Sequence, residues 1–186
     1  RDRLTALFAL GGLLGFAVAS AVAARKVDAH RVAQVGAAIG IPAFVLVVMA
    51  EPSGMTMLFL AGNLLIGFGG ALFSHGTLTA AMDLAPEDQA GLSLGAWGAV
   101  QATAAGLAIA VSSALRDVVN VSVGSSGGIL GVDGVAVGYV AVYALEVVIL
   151  VVTLVAIVPL IRRRGGPSEA LVESSSTLAS AEAGAP

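Results

Sequence analysis

Cysteine is absent and charge is scarce: Asp, Glu, Lys and Arg make up only 11% of the 186 residues, whereas soluble domains carry about a quarter. Without thiols the chain has no disulfide framework and no thiolate metal site. With 58% hydrophobic residues and so few charges, a water-soluble fold is excluded, because so short a chain cannot bury that much apolar surface. The net charge of −3 resides in Glu169, Glu173 and Glu182, beyond Arg164. The body before them is neutral, and no basic patch points to nucleic acid. Catalytic patterns are also missing: there is no phosphate-cradling glycine loop, no His-Glu-x-x-His and no nucleophile beside a matched base. No paired Asp-rich motif is present to hold Mg²⁺ and a pyrophosphate. The sequence therefore reads as a non-enzyme.

What remains is a series of long stretches without acidic or basic residues. They cover residues 4–24, 32–50, 55–82 and 90–115, and a fifth at 134–161 is interrupted only by Glu146. A hydrocarbon core of roughly 30 Å needs about 20 helical residues, so each stretch can span a bilayer. The fold class is all-α integral membrane, with five transmembrane helices in one bundle over residues 1–164. The first stretch follows Arg1 and Arg3 as a signal peptide would, but its length and the four spans behind it favour a membrane helix. The chain lacks an initiator Met, which suggests that N-terminal helices of a longer parent precede it.

Arg25, Lys26 and Arg31 lie between spans one and two, and Arg162, Arg163 and Arg164 follow span five, on the same side if spans alternate. Only Arg1, Arg3 and Arg116 fall on the other. The excess places the first loop and the C-terminus in the cytoplasm. Around Pro86, Asp83, Glu87 and Asp88 favour a tight turn between spans three and four, which then form an antiparallel hairpin. Residues 120–132, rich in Gly and Ser, are expected to be an external loop carrying an Asn120-Val121-Ser122 glycosylation triplet. Residues 165–186 have too few large apolar side chains to fold and are expected to be a disordered cytoplasmic tail.

Twenty-four glycines imply close helix packing. Gly11/Gly15, Gly36/Gly40 and Gly91/Gly95 are each four apart, on one helix face, where small residues let backbones approach. Gly98, Ala102 and Gly106 extend the pattern in span four, so Gly95 and Gly98 are expected against another helix. Pro42 is expected to bend span two.

Polar groups at membrane depth are costly and so become candidates for function. His75 can offer a neutral imidazole nitrogen as an axial metal ligand while its other nitrogen is held by an orienting partner. The alternative is a hydrogen-bonded packing histidine. His75 and Trp97 stand equally far from Pro86, which predicts a similar depth and a shared cavity, with Gln101 one turn beyond Trp97. Trp97 can offer a flat surface to a ring system or anchor at the interface. Glu146, with Tyr139 and Tyr143 on its face at helical spacing, reads either as a proton-coupling carboxyl or as a protonated acid bonded to Tyr143 or a neighbouring helix. Asn63, Thr77 and Thr79 complete the intramembrane polar set.

The stretch FSHGTLTAAMDLA at 73–85 and the stretch DQAGLSLGAWGAVQATAAG at 88–106, above all GAWGAVQ at 95–101, resemble the PucC family. This is a branch of the major facilitator superfamily. Mapped onto it, the five spans resemble the eighth to twelfth of twelve. The loop ARKVDAHR at 24–31 resembles a degenerate form of the superfamily's basic loop, without its full Gly-x-x-x-Asp-Arg-x-Gly-Arg-Arg pattern. The resemblance implies a factor for assembling bacterial light-harvesting antenna complexes in the cytoplasmic or intracytoplasmic inner membrane. Its implied partners are antenna polypeptides, membrane lipid and bacteriochlorophyll, with His75 as a possible axial ligand to the pigment Mg. A proton-coupled major-facilitator solute transporter is the alternative function.

Overall fold

A computed structural model describes residues 2–86, 88–123 and 134–164. These form five helices: α1 (Asp2–Ala23), α2 (Ala29–Ser53), α3 (Thr56–Asp83), α4 (Ala90–Val123) and α5 (Gly134–Arg164). Each is long and apolar enough to cross a membrane, and the described residues contain no strand. The expected tail at 165–186 and residues 124–132 of the expected loop lie outside the described residues.

Two ends differ from the sequence-based expectation. The helix α2 starts at Ala29 because the Asp28 carboxylate caps it, accepting from the backbone N–H of His30 at 2.8 Å and of Arg31 at 3.2 Å. Capping satisfies donors that the first turn otherwise leaves unpaired. At the far end, Gly54 takes a left-handed conformation (φ 64°) and its N–H bonds the Glu51 carbonyl, the usual glycine stop. Pro42 and Pro52 lie inside this helix without ending it. The second difference is in α4, which runs through Asn120 to Val123, so the first four residues of the expected loop are helical. The Asn120 side chain abuts α5 at Gly138, which removes the exposed-loop setting expected for the glycosylation triplet.

The helices pack in the order α1, α3, α2, α5, α4, with α4 returning to touch α3 only lightly. Small residues make the tightest seam. On α2, Ala29, Gly36, Ala43 and Ala50 recur every seven residues and are buried, and Gly62, Gly69 and Gly76 recur likewise on α3. A Cβ on Gly36 would stand 2.5 Å from the Phe73 nitrogen and 2.6 Å from the Gly69 oxygen. On Gly76 it would stand 2.5 Å from the Ala33 nitrogen. These backbones touch because no side chain separates them, and a sustained seven-residue period keeps the seam facing its partner. Gly11 and Gly15 of α1 press in the same way on the α3 backbone at Leu64 and Phe68.

Ala19, Val32 and Leu72 form the apolar centre of these three helices, joined by Val22, Ile39 and Phe68. Many large side chains instead face outward: Leu13, Leu92 and Ile109 are each 69% exposed. Such a surface is untenable in water and suited to acyl chains, where helix association rests on close packing. The α4 glycines depart from expectation. A Cβ on Gly91, Gly95, Gly98 or Gly106 would meet nothing within 4 Å, and no residue of α4 is buried. The expected contact of Gly95 and Gly98 with another helix is therefore absent among the described residues. Spacing defines a face that permits close approach, but α4 meets α3 and α5 through other residues.

Candidate functional site

The α3–α4 hairpin is held by polar groups. Trp97 Nε1 donates to Thr77 Oγ1 at 3.3 Å, and one turn on Gln101 Nε2 donates to Ser74 Oγ at 3.5 Å. Thr77 in turn donates to backbone carbonyls of its own helix, at Phe73 (3.0 Å) or Ser74 (3.1 Å). Within hydrocarbon such pairs hold helices together where apolar contact alone favours neither helix nor lipid.

His75 belongs to another side of α3. At about 100° per residue it stands about 160° around the helix from Thr77, and its ring lies 6.4 Å from that of Phe16 on α1. Trp97 and Gln101 are thus brought together with α3, while His75 is brought to α1. Neither His75 nor Trp97 lines either of the two clefts described below.

The local bonding of His75 is chemically specific. Thr79 Oγ1 donates to the His75 carbonyl at 2.9 Å and lies 3.3 Å from His75 Nδ1. A hydroxyl has one proton to give, so with that proton on the carbonyl its oxygen is left to accept from Nδ1–H. This arrangement puts the ring proton on Nδ1 and leaves the Nε2 lone pair bare, the form in which imidazole binds a metal. Nε2 has no hydrogen-bond partner among the described residues.

Glu146 is half-buried in α5 and has no hydrogen bond or ion pair among the described residues. Tyr143, one turn earlier, packs instead on Phe44 of α2 with ring centroids 5.8 Å apart. Asn63 donates from Nδ2 to the Leu4 carbonyl at 2.7 Å, tying α3 to the start of α1.

Two clefts contain residues that the sequence did not single out. One, of about 390 Å³, lies between α2, α3 and α5 and is lined by His30, Phe73, Gly76 and Thr153 among others. His30 reads as a loop residue in the sequence, but the Asp28 cap draws it into the first turn of α2. There its Nδ1 is buried, 3.6 Å from the Asp28 carboxylate and without a hydrogen-bond partner. The Asp-x-His spacing was the available signal. The other cleft, of about 620 Å³, lies where α2 leads into α3 and contains Glu51, Phe59, Tyr139 and Tyr143.

Five long apolar helices joined by glycine seams, with a few paired polar side chains between them, define a multi-pass helical membrane protein. Residues 2–165 match the family described as PUCC protein. The chain is 52% identical over 160 residues to Protein PucC of Cereibacter sphaeroides, covering 86% of this chain and 34% of that protein. It is 44% identical over 165 residues to Protein PucC of Rhodobacter capsulatus, covering 88% and 34%. It is also 41% identical over 160 residues to an uncharacterized protein of Rhodobacter capsulatus from the puhA-bchM intergenic region, covering 86% and 33%. The chain belongs to the PucC family and spans about a third of the length of these relatives. No solved structure matches it.

Proposed function

We propose that the chain is part of a membrane factor that assembles bacterial light-harvesting antenna complexes and handles bacteriochlorophyll while doing so. Its setting is the bacterial inner membrane with the C-terminus cytoplasmic, and antenna polypeptides are its partners. Family membership over residues 2–165 supports the assembly role. The pigment role is supported by the setting of His75: Thr79 Oγ1 lies 3.3 Å from its Nδ1, and Nε2 has no hydrogen-bond partner among the described residues. A chlorin-bound Mg²⁺ accepts one axial ligand, and although Mg²⁺ generally prefers oxygen, a neutral imidazole with its second nitrogen anchored suits that position. The hairpin residues Trp97 and Gln101 act on the other side of α3, holding α4 in place.

The test replaces His75 with Leu and with Asn in a phototrophic host, then measures co-purified near-infrared pigment and antenna assembly together. His75→Leu is expected to lose bound pigment, and Asn, which keeps a ligating oxygen, to retain part of it. Pigment and assembly at wild-type level in His75→Leu refute the axial role. A second reading, proton-coupled solute transport, is favoured by the Glu146 carboxyl at mid-span, which has no hydrogen bond or ion pair among the described residues. Glu146→Gln would then abolish proton-driven uptake while leaving pigment content unchanged.

A further inference from the structure

The cleft between the end of α2, the start of α3 and the first turns of α5 brings one carboxylate and three aromatic rings into a single lining. Glu51 is exposed at the last turn of α2, where the helix dipole already concentrates negative charge and disfavours a carboxylate. It has no ion-pair partner among the described residues. The left-handed Gly54 cap closes the helix beside it, so Glu51 and Gly54 line the same opening. Three aromatic rings, Phe59, Tyr139 and Tyr143, share that lining. Tyr143 is held by its contact with Phe44, and Tyr139 already carries a cation, the Arg116 guanidinium 5.7 Å from its ring centroid. Arg116 is itself bound to Asp117 at 2.7 Å, so its charge does not dominate the neighbourhood.

We propose that this cleft binds the ammonium headgroup of a zwitterionic phospholipid, with Glu51 and the rings of Phe59 and Tyr139, near the helix ends, as its recognition elements. Aromatic rings together with a carboxylate are the chemistry by which proteins hold organic cations, quaternary ammonium above all. The position favours a lipid as the occupant. The cleft lies where α2 ends and α3 begins, at the ends of helices long and apolar enough to cross a membrane, and its cavity of about 620 Å³ admits a whole headgroup. An anionic glycerol headgroup offers nothing to the rings and is repelled by Glu51.

The experiment uses the purified parent protein that contains this chain, stripped of lipid in a maltoside micelle. It is offered an equimolar mixture of dioleoyl phosphatidylcholine and dioleoyl phosphatidylglycerol, and retained lipid is counted by native mass spectrometry. Phosphatidylcholine is expected to be retained over phosphatidylglycerol by about five- to tenfold. Glu51→Gln, at an exposed position that leaves the fold intact, should bring the ratio close to one, as should Tyr139→Leu. Phosphatidylserine, which adds a carboxylate beside its ammonium, should bind more weakly than phosphatidylcholine. Equal retention of choline and glycerol lipids by the unaltered protein overturns the proposal. So does a choline preference that survives both substitutions.

Discussion

Replacing Gly36 with Ala adds a single carbon to the α2–α3 seam, yet the structure gives it nowhere to go. The new Cβ would stand 2.5 Å from the Phe73 nitrogen and 2.6 Å from the Gly69 oxygen, where ordinary contact begins at 3.4 Å. Both neighbours are backbone, so no rotamer change relieves the overlap, and the two helices must part locally by roughly 1 Å. A gap of that size forfeits about a quarter to a half of each van der Waals contact it opens, and overpacking of this kind costs about 1–3 kcal/mol. Gly95→Ala is the matched control: nothing lies within 4 Å of its Cβ position. There the exchange only replaces a poor helix former with the best one, a gain of up to about 1 kcal/mol. The two variants should therefore move stability in opposite directions. Titration with sodium dodecyl sulfate in mixed micelles, followed by circular dichroism, measures both. If Gly36→Ala unfolds at the wild-type midpoint, or Gly95→Ala loses as much stability as Gly36→Ala, the assignment of the seam is wrong.

Asn63→Leu removes the 2.7 Å bond to the Leu4 carbonyl and should destabilise α1 docking by about 0.6–2 kcal/mol, seen as faster amide exchange in the first turns of α1 with α4 and α5 unchanged. For orientation, a periplasm-active reporter fused after Arg164 should be silent and a cytoplasm-active one functional. The reverse pattern would overturn the placement derived from the basic loops.

The existence and number of the helices were legible because charge-free runs of membrane-spanning length admit one solution in lipid. Helix ends were less so. Asn120 to Val123 look like loop by composition, but the close approach of α5 at Gly138 lets the helix continue past Arg116. Glycine spacing of four identified α1 and α2 correctly as packing surfaces and gave the same signal in α4, where no described residue answers it. Periodicity specifies which side of a helix can be approached, and only the tertiary arrangement specifies by what. The seven-residue repeat Gly62, Gly69, Gly76 was present in the sequence and is the stronger signal. At the candidate site, equal distance from Pro86 predicts the depth of His75 and Trp97 but not the rotation of each helix, and rotation separates them. Glu51 gave no motif and Tyr139 read only as a neighbour of Glu146 on its own helix, because the cleft joins residues far apart in the chain.

Trp97 is the one tryptophan in the chain, and its indole N–H is spent on Thr77 across the lightly packed α3–α4 contact. Indole emission from this chain therefore originates at the α3–α4 junction. Steady-state fluorescence of this chain and its quenching by brominated lipids would read the opening and closing of that hairpin directly, without a label and without interference from the chain's other aromatic residues, none of which is tryptophan.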